Sequence, residues 1–124
     1  MTNAMASLVS LLFASRTQAH IFHFQTSSFS AHKTLDDYYS EIINLVDGLV
    51  ESYQGKYGII TDYTAASKIT ESATISQMIT YFSELSDLID TLRKQIPQDT
   101  YIQNQLDEIE QLIDSTLYKL KFLN

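Results

Sequence analysis

The chain has 124 residues, no cysteine, three glycines and one proline. That length suits one domain with a core of its own, and the absent thiols exclude disulfides, thiolate nucleophiles, iron–sulfur clusters and cysteine zinc sites. Eight basic against fifteen acidic side chains leave a net charge of −7, which disfavours holding nucleic acid by phosphate neutralisation and favours attraction of cations.

The apolar stretch 4–14 is as hydrophobic as a signal-peptide core, yet no basic residue precedes it and Thr17-Gln18-Ala19 is a weak cleavage sequence. It is too short to cross a bilayer. A first helix over 3–24 is therefore expected, with Leu8, Leu11, Leu12, Ser15 and Ala19 at helical spacing. Residues 25–30 are polar and serine-rich and predict a turn. A second helix is expected over 31–54, on which Leu35, Tyr38, Tyr39, Ile42, Leu45, Val46, Leu49, Val50 and Tyr53 step by three and four. Gly55 is the expected stop, in the left-handed conformation. Gly48, in mid-helix, suggests a close helix crossing.

Residues 55–68 form a linker with room for a short helix. Thr74-Ile75-Ser76-Gln77 has the form of a capping box and opens a third helix. Its stripe runs from Ile75 through Met78, Ile79, Phe82, Leu85, Leu88, Ile89 and Leu92 to Ile96, with Arg93 and Lys94 in the last turn, where cations suit the dipole. Pro97 ends this helix or opens the next. The fourth helix is expected over 99–122, striped by Ile102, Leu106, Ile109, Leu112, Ile113, Leu117 and Leu120. No repeat, low-complexity tract or long charge run divides the chain, so 1–124 reads as one all-α domain. The expected architecture is an antiparallel four-helix bundle whose longest connection, between helices two and three, crosses its length as in ferritin-like folds.

All three histidines, His20, His23 and His32, lie within thirteen residues, and helix two adds Asp36, Asp47 and Glu51. Taking His32 as the origin, Asp36, Asp47 and Glu51 project at about 40°, 60° and 100° around the helix. Tyr39, Ile43 and Val50 share that face. Acids on an apolar stripe are paired, metal-bound or at an interface. His32/Asp36 and Asp47/Glu51 are each i,i+4 pairs able to reach one ion, and the donor set suits iron, manganese or zinc. The two pairs lie roughly 16 Å apart along the axis, too far to share an ion within one chain. A joint site requires two antiparallel copies of helix two across a two-fold axis.

The string His32-x3-Asp36-x10-Asp47-x3-Glu51, with His20 or His23 before it, resembles the ferroxidase signature of Dps proteins, the ferritin-like mini-cages. The wider run His23-Phe24-Gln25-Thr26-x-Ser28-Phe29-x-x-His32-Lys33-x-Leu35, with Gln54-Gly55-Lys56-Tyr57-Gly58, looks like Dps-like proteins of tailed phages. The resemblance covers about a quarter of the chain. It implies iron(II) oxidation by peroxide or oxygen at an intersubunit di-iron site. His32, Asp36, Asp47 and Glu51 would be catalytic, and His20 or His23 a further ligand. It also implies a homo-oligomer, from dimer to dodecamer, in a bacterial cytoplasm. His20 has the family's spacing to the second histidine, while His23, followed by Phe24, has the local motif with a shortened turn. The chain departs from the family in having no tryptophan and no lysine-rich tail, so no nucleic-acid partner is expected.

Two other readings stand beside this one. One is a non-catalytic ferritin-like bundle acting as a structural or interaction protein. The other is a dimer that binds zinc or manganese structurally. Tyr39 lies nearest the stripe and could accept an oxidising equivalent, although packing is the far commoner reason for a tyrosine there. Asp37 and Glu41 lie off the stripe, and Asp107, Glu108, Glu110 and Asp114 read as a solvated face of helix four.

Overall fold

The computed structural model describes residues 3–65, 68–72 and 74–124, and among them there are four helices and no strand. Helix α1 spans Ala4–Gln25, α2 Phe29–Tyr57, α3 Ile75–Leu92 and α4 Thr100–Phe122, with a 3-10 turn at Arg93–Gln95.

Each start has a local cause. Asn3 caps α1, its Oδ1 accepting from the amides of Met5 (2.8 Å) and Ala6 (3.2 Å). Ser28 caps α2 by accepting from Ala31 N, so the turn shrinks to 26–28 and α2 opens at Phe29, two residues before the expected start. Half of the expected capping box forms at α3: Thr74 Oγ1 accepts from Gln77 N (3.4 Å), while the amide of Thr74 goes to Ser72 Oγ instead of the Gln77 side chain.

Helix α2 does not stop at Gly55. It runs on to Tyr57 and ends at Gly58, whose φ of 95° is the left-handed value. The extra turn is held from outside. Lys56 Nζ and Tyr57 Oη (2.5 Å) both donate to the Asp99 carboxylate at the start of α4. These donors hold Asp99 below the usual carboxylate range, and the Asp99 carboxylate in turn raises the Lys56 ammonium. At the other end of α2, Ser30 Oγ donates to the carbonyl of Leu123 (2.6 Å). The two contacts make α2 and α4 neighbours running in opposite directions.

The connection 58–74 contains no helix among its described residues; positions 66, 67 and 73 lie outside them. The reason is reach. Side chains of α1 hold the connection along their own length: Ser10 Oγ accepts from Thr64 N, Gln18 exchanges two bonds with the backbone of Thr70 (2.7 Å each), and Gln25 Oε1 accepts from Ser72 N. Ser10 and Gln25 are roughly 22 Å apart along α1, whereas eight residue steps of α-helix would rise only about 12 Å.

Helix α1 is thus covered by α2, α3 and this strap. Its buried set, which includes Met5, Leu8, Val9, Leu12, Ala19 and Phe22 together with Ser10, Ser15 and Gln18, runs around most of its circumference. In the core, Ser15 Oγ donates to Leu12 O and accepts from Tyr38 Oη (2.7 Å). Burial pushes the Tyr38 phenol far above its ordinary range, so it serves as a neutral donor. Phe82 of α3 packs edge-on against the Tyr38 ring at 4.9 Å.

Gly48 faces α4, but the crossing is looser than expected. A Cβ there would meet only Gln105 Nε2, at 3.8 Å. The glycine leaves its carbonyl open to Gln105, which donates to Gly48 O (3.1 Å) and Ser52 Oγ (3.0 Å). Among the described residues no helix is long and apolar enough to cross a membrane.

Candidate functional site

The turn between α1 and α2 folds the three histidines together. His23 Nδ1 donates to the carbonyl of His32 (2.7 Å), and His32 Nδ1 donates to the carbonyl of His23 (2.9 Å). A carbonyl only accepts, so both Nδ1 atoms carry hydrogen. The rings lie face to face, centroids 3.6 Å apart and 18° from parallel. This reciprocal lock fixes the hairpin and leaves each Nε2 uncommitted. His23 is the buried member. His20, one turn earlier, stacks on Tyr39 (4.2 Å) and on Phe24 (4.7 Å), and its centroid lies 5.9 Å from that of His23. Both histidines weighed as the first ligand therefore join the cluster, His23 as a structural element of the turn and His20 on its outer side.

Asp36 lies one turn beyond His32 and accepts weakly from Ser40 Oγ (3.4 Å). Its carboxylate beside the Tyr39 hydroxyl holds that phenol above its ordinary range, while Arg16 opposes the shift. Asp47 and Glu51 are exposed and stand apart from the histidines. They line a cleft of about 260 Å³ with Phe13, Val46, Val50 and Tyr63. Phe13 and Tyr63, two of its lining residues, stack on each other at 6.4 Å. Within one chain the structure thus brings His20, His23, His32, Asp36 and Tyr39 to one end of the α1–α2 face and leaves Asp47 and Glu51 at the other. Among the described residues no three His, Asp or Glu side chains are grouped to hold a metal ion. Asp37 and Glu41 are exposed, off this face, as expected.

Sequence reasoning missed the aromatic character of this face. Phe24 and Phe29 are 72% and 75% exposed, and Lys33 Nζ lies 5.7 Å over the Phe29 ring. The signal was available: two phenylalanines flank a short polar turn, where core packing has little use for them. It also assigned the acids of α4 to solvent. Two of them, Asp107 (2.8 Å) and Glu110, hold the Arg93 guanidinium, whose Nε donates to Gln103 Oε1 (3.0 Å). Burial and the neighbouring Asp90 push the Glu110 carboxyl up to about 7 despite Arg93.

Comparison with known proteins corrects the family reading. A family of unknown function, DUF5856, matches residues 23–120. The chain is 30% identical over 114 residues to an uncharacterized 14.6 kDa protein from the mobD-ri intergenic region of Enterobacteria phage T4, covering 89% of this chain and 82% of that protein. No solved structure matches. The DUF5856 match spans the histidine–carboxylate string itself, so the resemblance to Dps proteins is overturned. The spacing of four residues on one helix is too short a signature to separate a ferroxidase from another amphipathic helix with acids on its outer face.

Proposed function

Since this chain belongs to the DUF5856 family, we propose that it is a non-catalytic helical interaction protein of phage type that self-associates through the α1–α2 face. Its length-spanning connection is the crossover of a ferritin-like topology. The observation that carries the reading is the composition of that face. Phe24, Phe29, Phe13 and Tyr63 are exposed on it, interleaved with Arg16, His20, Lys33, Asp36, Asp47 and Glu51. Exposed aromatic side chains among mixed charges have the character of a protein–protein interface. Two of the histidines that suggested catalysis, His23 and His32, also fix the turn through their Nδ1 atoms.

Sedimentation equilibrium on the intact chain tests this. The expected mass is twice 14.1 kDa, and Ile43→Lys, at the middle of the face, should return it to the monomer without loss of helix by circular dichroism. A monomer at every concentration reached would overturn the reading.

A metal-bridged version of the same dimer is the second reading. It is favoured by the Nδ1–carbonyl bonds, since a histidine ligand ordinarily donates its other ring nitrogen to such an acceptor. His32 and Asp36 of one copy would then face the partner's Asp47 and Glu51 with iron, zinc or manganese between them. Added metal should tighten the dimer, and Asp47→Asn should remove that effect while leaving metal-free association in place.

A further inference from the structure

We propose that two copies pair about a two-fold axis near Ile43, with Phe24 of each seated in the partner's cleft between Phe13, Val46, Val50 and Tyr63. This rests on the self-association reading above and assigns it a register.

The knob is already formed. Phe24 is 72% exposed, yet it stacks on His20, which stacks on Tyr39. A side chain held this way loses little rotamer freedom on docking, which is how an anchor residue gains its weight. The hole is also present. The cleft holds about 260 Å³ and is lined by Phe13, Val46, Val50 and Tyr63 together with the acids Asp47 and Glu51. A cavity of about 150 Å³ already admits a benzene molecule, so one phenyl ring fits.

The register follows from levels along α2. His20 stacks on Tyr39, so Phe24, one turn on, lies beside 35–36. The cleft is centred on the turn carrying Val46, Asp47, Val50 and Glu51. The midpoint falls at 42–43, and Ile43 is the partly exposed apolar residue of this face there. An antiparallel pair about Ile43 sets Tyr39 opposite the partner's Asp47, four residues to either side of the axis. Arg16 and His20 flank Tyr39 and meet the same carboxylate. His32 and Lys33 lie with Asp36 opposite the partner's Glu51, so each end of the contact holds both signs. Every contact occurs twice, as a two-fold interface requires.

The absence of native cysteine makes the test direct. Phe24→Cys and Tyr63→Cys chains are mixed and oxidised. Within one chain the two positions are separated by the Phe24–Phe13 interval, roughly 16 Å along α1, well beyond the Cα limit of about 7 Å for a disulfide. A covalent dimer from the mixture, and from neither chain alone, is the expected result. Phe24→Ala should also weaken the dimer tenfold or more, with the helix content of the monomer unchanged. A dimer by sedimentation that gives no 24–63 cross-link, or one in which the Phe24→Cys chain links to itself, overturns the register while leaving self-association standing. A monomer throughout overturns both.

Discussion

The three glycines show how differently one residue type acts. Gly48 and Gly55 both lie inside α2, where glycine is about 0.5–1 kcal/mol less favourable than alanine. A Cβ at Gly48 would make an ordinary contact, and one at Gly55 would meet nothing within 4 Å. Gly48→Ala and Gly55→Ala should each stabilise the protein by about 0.5–1 kcal/mol in urea unfolding. Gly58 is the opposite case. Its φ of 95° and ψ of 175° belong to a region essentially restricted to glycine, so Gly58→Ala should cost on the order of 1–3 kcal/mol. Three changes of equal sign would contradict the helix boundary drawn here.

At the scale of elements, what joins the helices is polar as much as apolar. The α1–α2 hairpin is closed by the two histidines, the crossover is hung from Ser10, Gln18 and Gln25, and α3 is tied to α4 through Arg93. The last junction has a pH signature. The Glu110 carboxyl is raised from its ordinary 4.5 to about 7 by burial and by Asp90. The folded protein therefore binds this proton more tightly than the unfolded chain. Its contribution is complete below the unfolded value and falls away as pH rises through about 7. Glu110→Gln keeps an acceptor for Arg93 without the charge. Its stability relative to the parent should improve between pH 5 and pH 8, as read by denaturant midpoints, and a difference flat across that range would reject the assignment. Sequence periodicity made Arg93 a helix-dipole cation and Glu110 a solvated acid. Their pairing depends on where α4 lies against the end of α3, which no pattern within either helix encodes.

At the scale of the whole molecule, the core is filled by side chains from all four helices together with Ile60 of the crossover and Ile96 beside the 3-10 turn. Leu88 of α3, Tyr101, Tyr118 and Phe122 of α4 and Ile59 of the connection are also exposed, while Phe13, Phe24, Phe29 and Tyr63 mark the α1–α2 face. If that face associates, folding and association are linked. The thermal midpoint should then rise with protein concentration in the parent and stay constant in Ile43→Lys. The net charge of −7 opposes association at long range, so the mixed signs within the contact matter more than the overall charge.

The amino-acid pattern by itself determined the helical class, the number of helices, their apolar stripes and the Thr74 cap. These depend on spacings of three and four and on side chains a few residues from the backbone groups they satisfy. It also placed His20, His23 and His32 near one another, because a short turn between two helices permits little else. Only the tertiary structure decided that α2 continues through Gly55, since Asp99 lies forty-four residues farther on. Only it tied Thr64, Thr70 and Ser72 of the connection to α1, since their partners Ser10, Gln18 and Gln25 lie 47 to 54 residues earlier. And only it separated the histidine end of the α1–α2 face from Asp47 and Glu51 and gave those acids an aromatic cleft, since Tyr63 arrives there from the crossover. Local order follows from short-range steric and hydrogen-bonding preferences, whereas a surface is assembled from residues that the fold brings together from distant parts of the chain.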